Sequence, residues 1–120
     1  MTRINCGIPV EELTDKHLLA EHREIKRIPN MVKKGKYQLT NQPKEFTLGT
    51  GHVKFFYSRL KYLLDRYNQI HFECKKRGFK VTDYSNAWSN LPVELMNDYK
   101  PTFRDMELVR HRIYERLNSK

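Results

Sequence analysis

Cysteine is nearly absent from this chain. Only Cys6 and Cys74 occur in 120 residues, too few for a disulfide framework or a four-cysteine zinc site. Two free thiols in a reducing cytoplasm are the simplest reading. The five histidines show no zinc spacing. His71 and Cys74 stand one helical turn apart, but two ligands do not make a site, so neither a metal nor a cofactor is expected. Long apolar runs are missing too. Nothing approaches a transmembrane span, and the opening residues lack the apolar stretch of a signal peptide, so a membrane protein is not expected. There is no internal repeat, no low-complexity tract, and no alternating apolar–polar run long enough to demand a sheet. Acidic residues are also in short supply: 14 Asp and Glu stand against 23 Lys and Arg, for a net charge of +9. That imbalance favours a polyanionic partner, most often nucleic acid, with an acidic membrane surface as the rival.

What is present fits an all-α, compact single domain of three main helices over residues 1–120, acting as a monomer. The first helix is expected from Thr14 or Asp15, either of which can cap it, to about Ile28, with Pro29 ending or bending it. Residues 30–45 carry Lys33, Lys34, Lys36 and Lys44 with no acid before Glu45, and read as a basic loop with at most a residual helical turn. The second helix is the clearest. Val53, Phe56, Leu60, Leu63, Leu64, Tyr67, Ile70 and Cys74 recur at spacings of three and four, with Gly78 as the C-terminal cap. After an irregular stretch and a turn or two in Pro92–Asn97, a third helix is expected from about Phe103 to Leu117, with Met106, Val109, Ile113 and Leu117 as its apolar stripe.

Thr2 is small enough to let Met1 be removed, which exposes a threonine amine. An α-amine titrates at about 7.7–8.0, against about 10.4 for lysine. Near neutral pH it is partly unprotonated and can attack a sugar aldehyde or anomeric carbon. On the first helix, about 100° per residue places His17, Ala20, Glu24 and Arg27 on one face, with Arg23 beside Arg27. The small Ala20 leaves room for something to approach between the functional side chains. Leu18, Ile25 and nearby His22 fall on another face. Alternatively, His17 and Glu21 form an ordinary helix pair, and the arginines are simply solvated. On the third helix Arg112 and Arg116 are surface neighbours, with Arg104 and Arg110 adding charge. Arginine's planar fork suits phosphate, so backbone contacts and shape reading are expected rather than base recognition.

These residues resemble the pyrimidine-dimer DNA glycosylase family. The opening Met1-Thr2-Arg3-Ile4-Asn5 is similar. So are Asp15-Lys16-His17-Leu18-Leu19-Ala20-Glu21-His22-Arg23-Glu24 with Arg27, then Leu48-Gly49-Thr50-Gly51-His52-Val53-Lys54-Phe55-Phe56-Tyr57, and Glu73-Cys74-Lys75-Lys76-Arg77-Gly78-Phe79. Asp98-Tyr99 and Pro101 resemble the lead into the family's last helix.

The resemblance implies an enzyme acting on damaged double-stranded DNA. It would cut a glycosidic bond at an ultraviolet-induced dimer and then break the strand at the abasic sugar. It casts Thr2 as the attacking amine and Glu24 as the catalytic carboxylate. Arg3, Arg23 and Arg27 would hold DNA around the lesion, with His17 near that site and Arg112 and Arg116 as phosphate contacts. Residues 29–44 depart from the family pattern, His22 replaces its usual tyrosine, and the family's aromatic C-terminal tail is absent. The expectation is a retained lyase core with the preferred lesion open between a dimer, another altered base and an abasic site. A non-catalytic DNA-binding module and a basic structural protein with RNA as partner are the readings from other classes.

Overall fold

A computed structural model describes residues 2–118; Met1, whose removal would expose the Thr2 amine, lies outside them. Five α-helices follow in order: α1 Asp15–Glu24, α2 Arg27–Lys33, α3 His52–Phe56, α4 Leu60–Lys76 and α5 Phe103–Asn118. Single 3₁₀ turns cover Val10–Glu12, Ser85–Trp88 and Val93–Leu95. There is no strand among the described residues, so the all-α expectation holds, with α1, α4 and α5 as the three long helices. None of the described helices is long and apolar enough to cross a membrane.

The first helix is shorter than expected. Thr14 caps α1, its hydroxyl accepting from the His17 N–H, but the helix stops at Glu24 rather than Ile28. Pro29 is the cause, acting four residues upstream. It has no N–H to give the Ile25 carbonyl, and its ring crowds that carbonyl. The chain turns through Ile25 and Lys26 and restarts as α2, with Pro29 in the first turn, where a missing N–H costs nothing. The basic stretch therefore begins inside a helix, and only the part after Lys33 is irregular.

The long second helix is likewise two. Arg59 leaves helical geometry at φ −130°, ψ 44° and separates α3 from α4. The carbonyls freed there are taken by remote side chains. Gln42 donates to the carbonyls of Lys54 and Phe55, and Asn97 donates to that of Ser58. The Arg59 guanidinium lies 3.9 Å from the Phe55 ring centre. At its other end α4 closes as expected. Gly78, at φ +90°, lets the Gly78 and Phe79 amides bond back to the carbonyls of Lys75 and Cys74. α5 opens with a reciprocal cap: the Asp105 N–H donates to the Thr102 hydroxyl, and the Thr102 N–H to the Asp105 carboxylate.

α1 packs on α4, and α2 and α4 both pack on the Ser85–Trp88 turn. The α4 stripe supplies Leu60, Leu63, Tyr67, Ile70 and Cys74 to the core. On α5, Val109 is buried, whereas Leu117 is exposed and does not extend the stripe inward. The non-helical residues 2–8 run through the middle of this arrangement, with Ile4, Asn5, Cys6 and Ile8 buried. Both cysteines are buried free thiols. Burial pushes Cys6 up to about 12, so it stays a protonated apolar group.

Candidate active site and nucleic-acid groove

Three consecutive backbone amides tie the N-terminal segment down, each to a different side chain. The Arg3 N–H donates to Glu24 Oε1 at 2.9 Å. The Ile4 N–H donates to His52 Nε2 at 2.9 Å. The Asn5 N–H donates to Glu21 Oε2 at 3.2 Å. α1 thus holds two of the three and α3 the third, and together they set where Thr2 sits.

Each acceptor is itself held. Glu21 and Arg66 form a bidentate pair at 2.9 and 3.0 Å, and the Asn5 side-chain amide adds a 2.9 Å bond to Glu21 Oε1. Arg66 also donates to the Ile8 carbonyl. His52 bonds the Thr47 carbonyl through Nδ1 at 2.8 Å. Nδ1 must therefore carry the proton, and Nε2 must be bare to accept from Ile4. Burial holds the His52 pKa below its usual value, which favours that neutral form.

Glu24 faces a small cleft of about 40 Å³, lined by Arg3, Asn5, His17, Ala20, Glu21, Arg112, Ile113 and Arg116 as well. Ala20 lies between His17 and Glu24 and leaves the space that its size implied. The Glu24 side chain is 12% exposed, and its second oxygen lies 3.7 Å from Arg23. Arg112 donates to Asn5 Oδ1 at 3.1 Å. His17 Nδ1 shares a 3.0 Å bond with the Thr14 hydroxyl, and burial, then the charge of Arg116, lowers its pKa and keeps it neutral near pH 7.

Among the described residues, no carboxylate pairs with the guanidinium of Arg3, Arg112 or Arg116. Arg66, Arg77, Arg104 and Arg110 are all paired. Burial, then the neighbouring Arg3, pulls the Arg112 pKa below its ordinary value. A guanidinium that is costly to keep charged there would be relieved by an incoming anion. An adjoining open depression of about 350 Å³ is lined by Thr2, Arg3, Gly49, Thr50, His52, Val53 and Arg112. Arg3 and Arg112 line both spaces, so Thr2 and Glu24 face one continuous cationic groove.

Thr2, Arg3, His17, Glu24, Arg112 and Arg116 are thus brought together. Arg23 touches the site only through Glu24 and is exposed. Arg27 begins α2, after the turn at Ile25 and Lys26, and does not line the cleft or the adjoining depression. Arg104 and Arg110 are occupied elsewhere, by the Phe46 carbonyl and by Glu12. Glu21 is no surface partner of His17 but a buried anchor. Sequence reading passed over Asn5, His52, Arg66 and Ile113 as site residues. Asn5 and His52 stand in stretches that resemble the family, yet only their contacts give them a role.

An all-helical domain with a carboxylate set among arginines that have no acidic partner among the described residues defines a protein built to handle an anionic polymer. The family model for pyrimidine dimer DNA glycosylase matches residues 1–86. The chain belongs to that family: it is a DNA-repair glycosylase whose substrate is DNA. α5, with Arg112 and Arg116, lies beyond the matched residues, and the fold brings it onto the same groove.

Proposed function

We propose that this chain is a bifunctional glycosylase and abasic-site lyase that excises damaged pyrimidines, above all ultraviolet dimers, from duplex DNA by way of an imine on Thr2. The observation that carries the reading is the Arg3 N–H to Glu24 bond of 2.9 Å. It puts a carboxylate one residue from the Thr2 amine, in a groove whose arginines lack acidic partners.

With Met1 removed, the neutral Thr2 nitrogen attacks C1′ of the damaged nucleotide. The bond from C1′ to the base breaks, and the base leaves with the electron pair and takes up a proton. The amine proton is lost, the sugar ring opens, and a protonated imine joins nitrogen to C1′. The imine draws electrons, so C2′ gives up a proton and the bond from C3′ to its phosphate oxygen breaks. Hydrolysis of the imine returns the amine. Glu24 stabilises the cation that develops at C1′ and moves protons in these steps. Arg3, Arg112 and Arg116 hold phosphates, with Arg23 and Arg27 supplying further contacts at the edge of the groove and His17 lining its floor. Damage lowers the cost of unstacking the nucleotide and exposing its sugar. The protein works as a monomer in the cytoplasm, where its two buried thiols stay reduced.

Borohydride treatment with a dimer-containing duplex and, separately, an abasic duplex tests this. A reduced adduct that peptide mapping places on Thr2 is expected. Glu24→Gln is expected to bind DNA and give no cleavage. An adduct mapped to a lysine, or normal cutting by a protein extended before Thr2, refutes the nucleophile. Salt-sensitive binding without any adduct or cleavage would leave a non-catalytic DNA-binding module.

A further inference from the structure

The cationic groove does not end at Thr2. Gly49 and Val53, which line the Thr2 depression, also line a shallow hollow of about 490 Å³ on its far side, together with Lys36, Tyr37, Lys54 and Tyr57. That volume lies within the roughly 300–1,000 Å³ of sites that take small ligands. The Tyr37 and Tyr57 rings stand 5.8 Å apart and are tilted by 56°, so they do not cover one another's faces as a stacked pair would. No acidic residue lines the hollow. Among the described residues neither Lys36 nor Lys54 is paired with a carboxylate, and Glu45, the acid that ends the basic stretch, pairs with Arg104. Glycines 35, 49 and 51 form part of the rim. A Cβ at Gly35 or Gly49 would meet nothing within 4 Å, so bare backbone faces open space there.

A surface that combines aromatic faces, unpaired ammonium groups and uncovered backbone suits a nucleotide. Every base has a π-face to stack on an aromatic ring, and lysine holds phosphate as a point charge. We propose that this hollow is a second DNA subsite. In it, the base that adjoins the lesion on the same strand, outside the dimer itself, unstacks onto Tyr37 and Tyr57, while Lys36 and Lys54 hold the adjoining phosphates. The subsite rests on the DNA-repair reading above and extends it. It makes Lys36 and Tyr37, in the stretch that departs from the family pattern, together with Lys54 and Tyr57, a determinant of which lesion contexts are accepted.

The test is equilibrium binding of the full-length protein to a duplex carrying a tetrahydrofuran abasic analogue, which cannot form an imine. Lys36→Ala/Lys54→Ala is expected to make the slope of log affinity against log salt shallower by about 1.8, at about 0.9 for each lost phosphate contact. Tyr37→Leu, which keeps apolar volume, and Tyr57→Ala are expected to weaken binding roughly five- to 150-fold, the range for losing one stacked base. In a duplex that also lacks the neighbouring base, wild type should bind as weakly as the tyrosine variants, and those variants should lose nothing more. Helical circular dichroism and melting midpoints report whether each variant is folded. Unchanged slopes in the folded lysine variant, or tyrosine losses that persist undiminished without the neighbouring base, overturn the subsite. Borohydride trapping of wild type on an authentic abasic duplex is read separately. An adduct with unchanged slopes removes the subsite alone, and altered slopes without an adduct remove the chemistry alone.

Discussion

Arg66→Met is expected to be among the most damaging single substitutions in this chain. It removes the guanidinium but roughly keeps the apolar stem. Glu21 would then be a carboxylate with no counter-charge, in a place where its side chain is 0% exposed. The two donors of Asn5 would remain to it, and the Ile8 carbonyl would lose its partner. Breaking a buried pair from one side costs about 3–5 kcal/mol, because the remaining charge is uncompensated. Domains of this size are stable by only about 5–15 kcal/mol in total. The loss should therefore consume about a fifth or more of that margin.

The double variant Glu21→Gln/Arg66→Met separates charge from packing. A glutamine oxygen can still accept from Asn5, and no ion is left buried. The groups left unmet are the Ile8 carbonyl, the glutamine amide and the one Asn5 donor that faced the other oxygen, all neutral and each less costly to bury than an uncompensated charge. Urea unfolding of wild type, the Arg66→Met single and the double is the assay. The double should recover at least about 1 kcal/mol of what Arg66→Met alone loses. A single variant that loses less than about 1 kcal/mol, or a double less stable than Arg66→Met alone, refutes the view that an uncompensated charge dominates. Because Glu21 also anchors Asn5, folded Arg66→Met protein should give a slower borohydride-trapping rate than wild type.

His52→Phe keeps an aromatic ring among Phe46 and Phe56 but strands the Ile4 N–H and the Thr47 carbonyl. It is expected to cost about 1–3 kcal/mol per stranded group in urea unfolding, and wild-type stability in this variant would remove His52 as the anchor. Acid should destabilise the protein through His22, whose pKa is lowered to about 4 by burial first and then by the charges of His71 and Lys26. Above about pH 6.5 both folded and unfolded states hold it neutral; from there down to about 4 only the unfolded state takes the proton, so stability falls as pH falls. Urea midpoints at pH 7 and pH 5 should draw closer together in His22→Phe than in wild type, and equal separations would exclude this assignment. Gly7→Ala should destabilise strongly, since Gly7 sits at φ +81° and a Cβ there would lie 2.7 Å from Pro101 Cβ; a melting midpoint within a degree or two of wild type would contradict that geometry.

Local signals carried much of this protein. The Thr14 cap, the periodic stripe of α4, the Gly78 terminus and the start of α5 depend on residues within a turn or two of one another, so spacing alone reveals them. The face of α1 that lines the cleft was legible for the same reason: His17, Ala20 and Glu24 share a face whatever the rest of the chain does. The helix breaks were harder. Pro29 exerts its effect at Ile25, a full turn before itself. The break at Arg59 is held by Gln42 and Asn97, which are distant in sequence and give no periodic signal. Arg27 was read as part of the first helix, and the turn at Ile25 and Lys26 puts it at the start of α2 instead.

Tertiary structure alone decided which charges are free to act. Arginines look alike in sequence, yet Arg66 is spent on Glu21 and Arg110 on Glu12, while Arg3, Arg112 and Arg116 converge on one cleft with no carboxylate paired to their guanidinium groups among the described residues. Pairing is a matter of distances between segments far apart along the chain, which composition and spacing do not encode. The same holds for the N-terminal segment. The sequence placed a threonine beside an arginine at one end, and only the packing of α1 and α3 around Arg3, Ile4 and Asn5 brought that end next to Glu24.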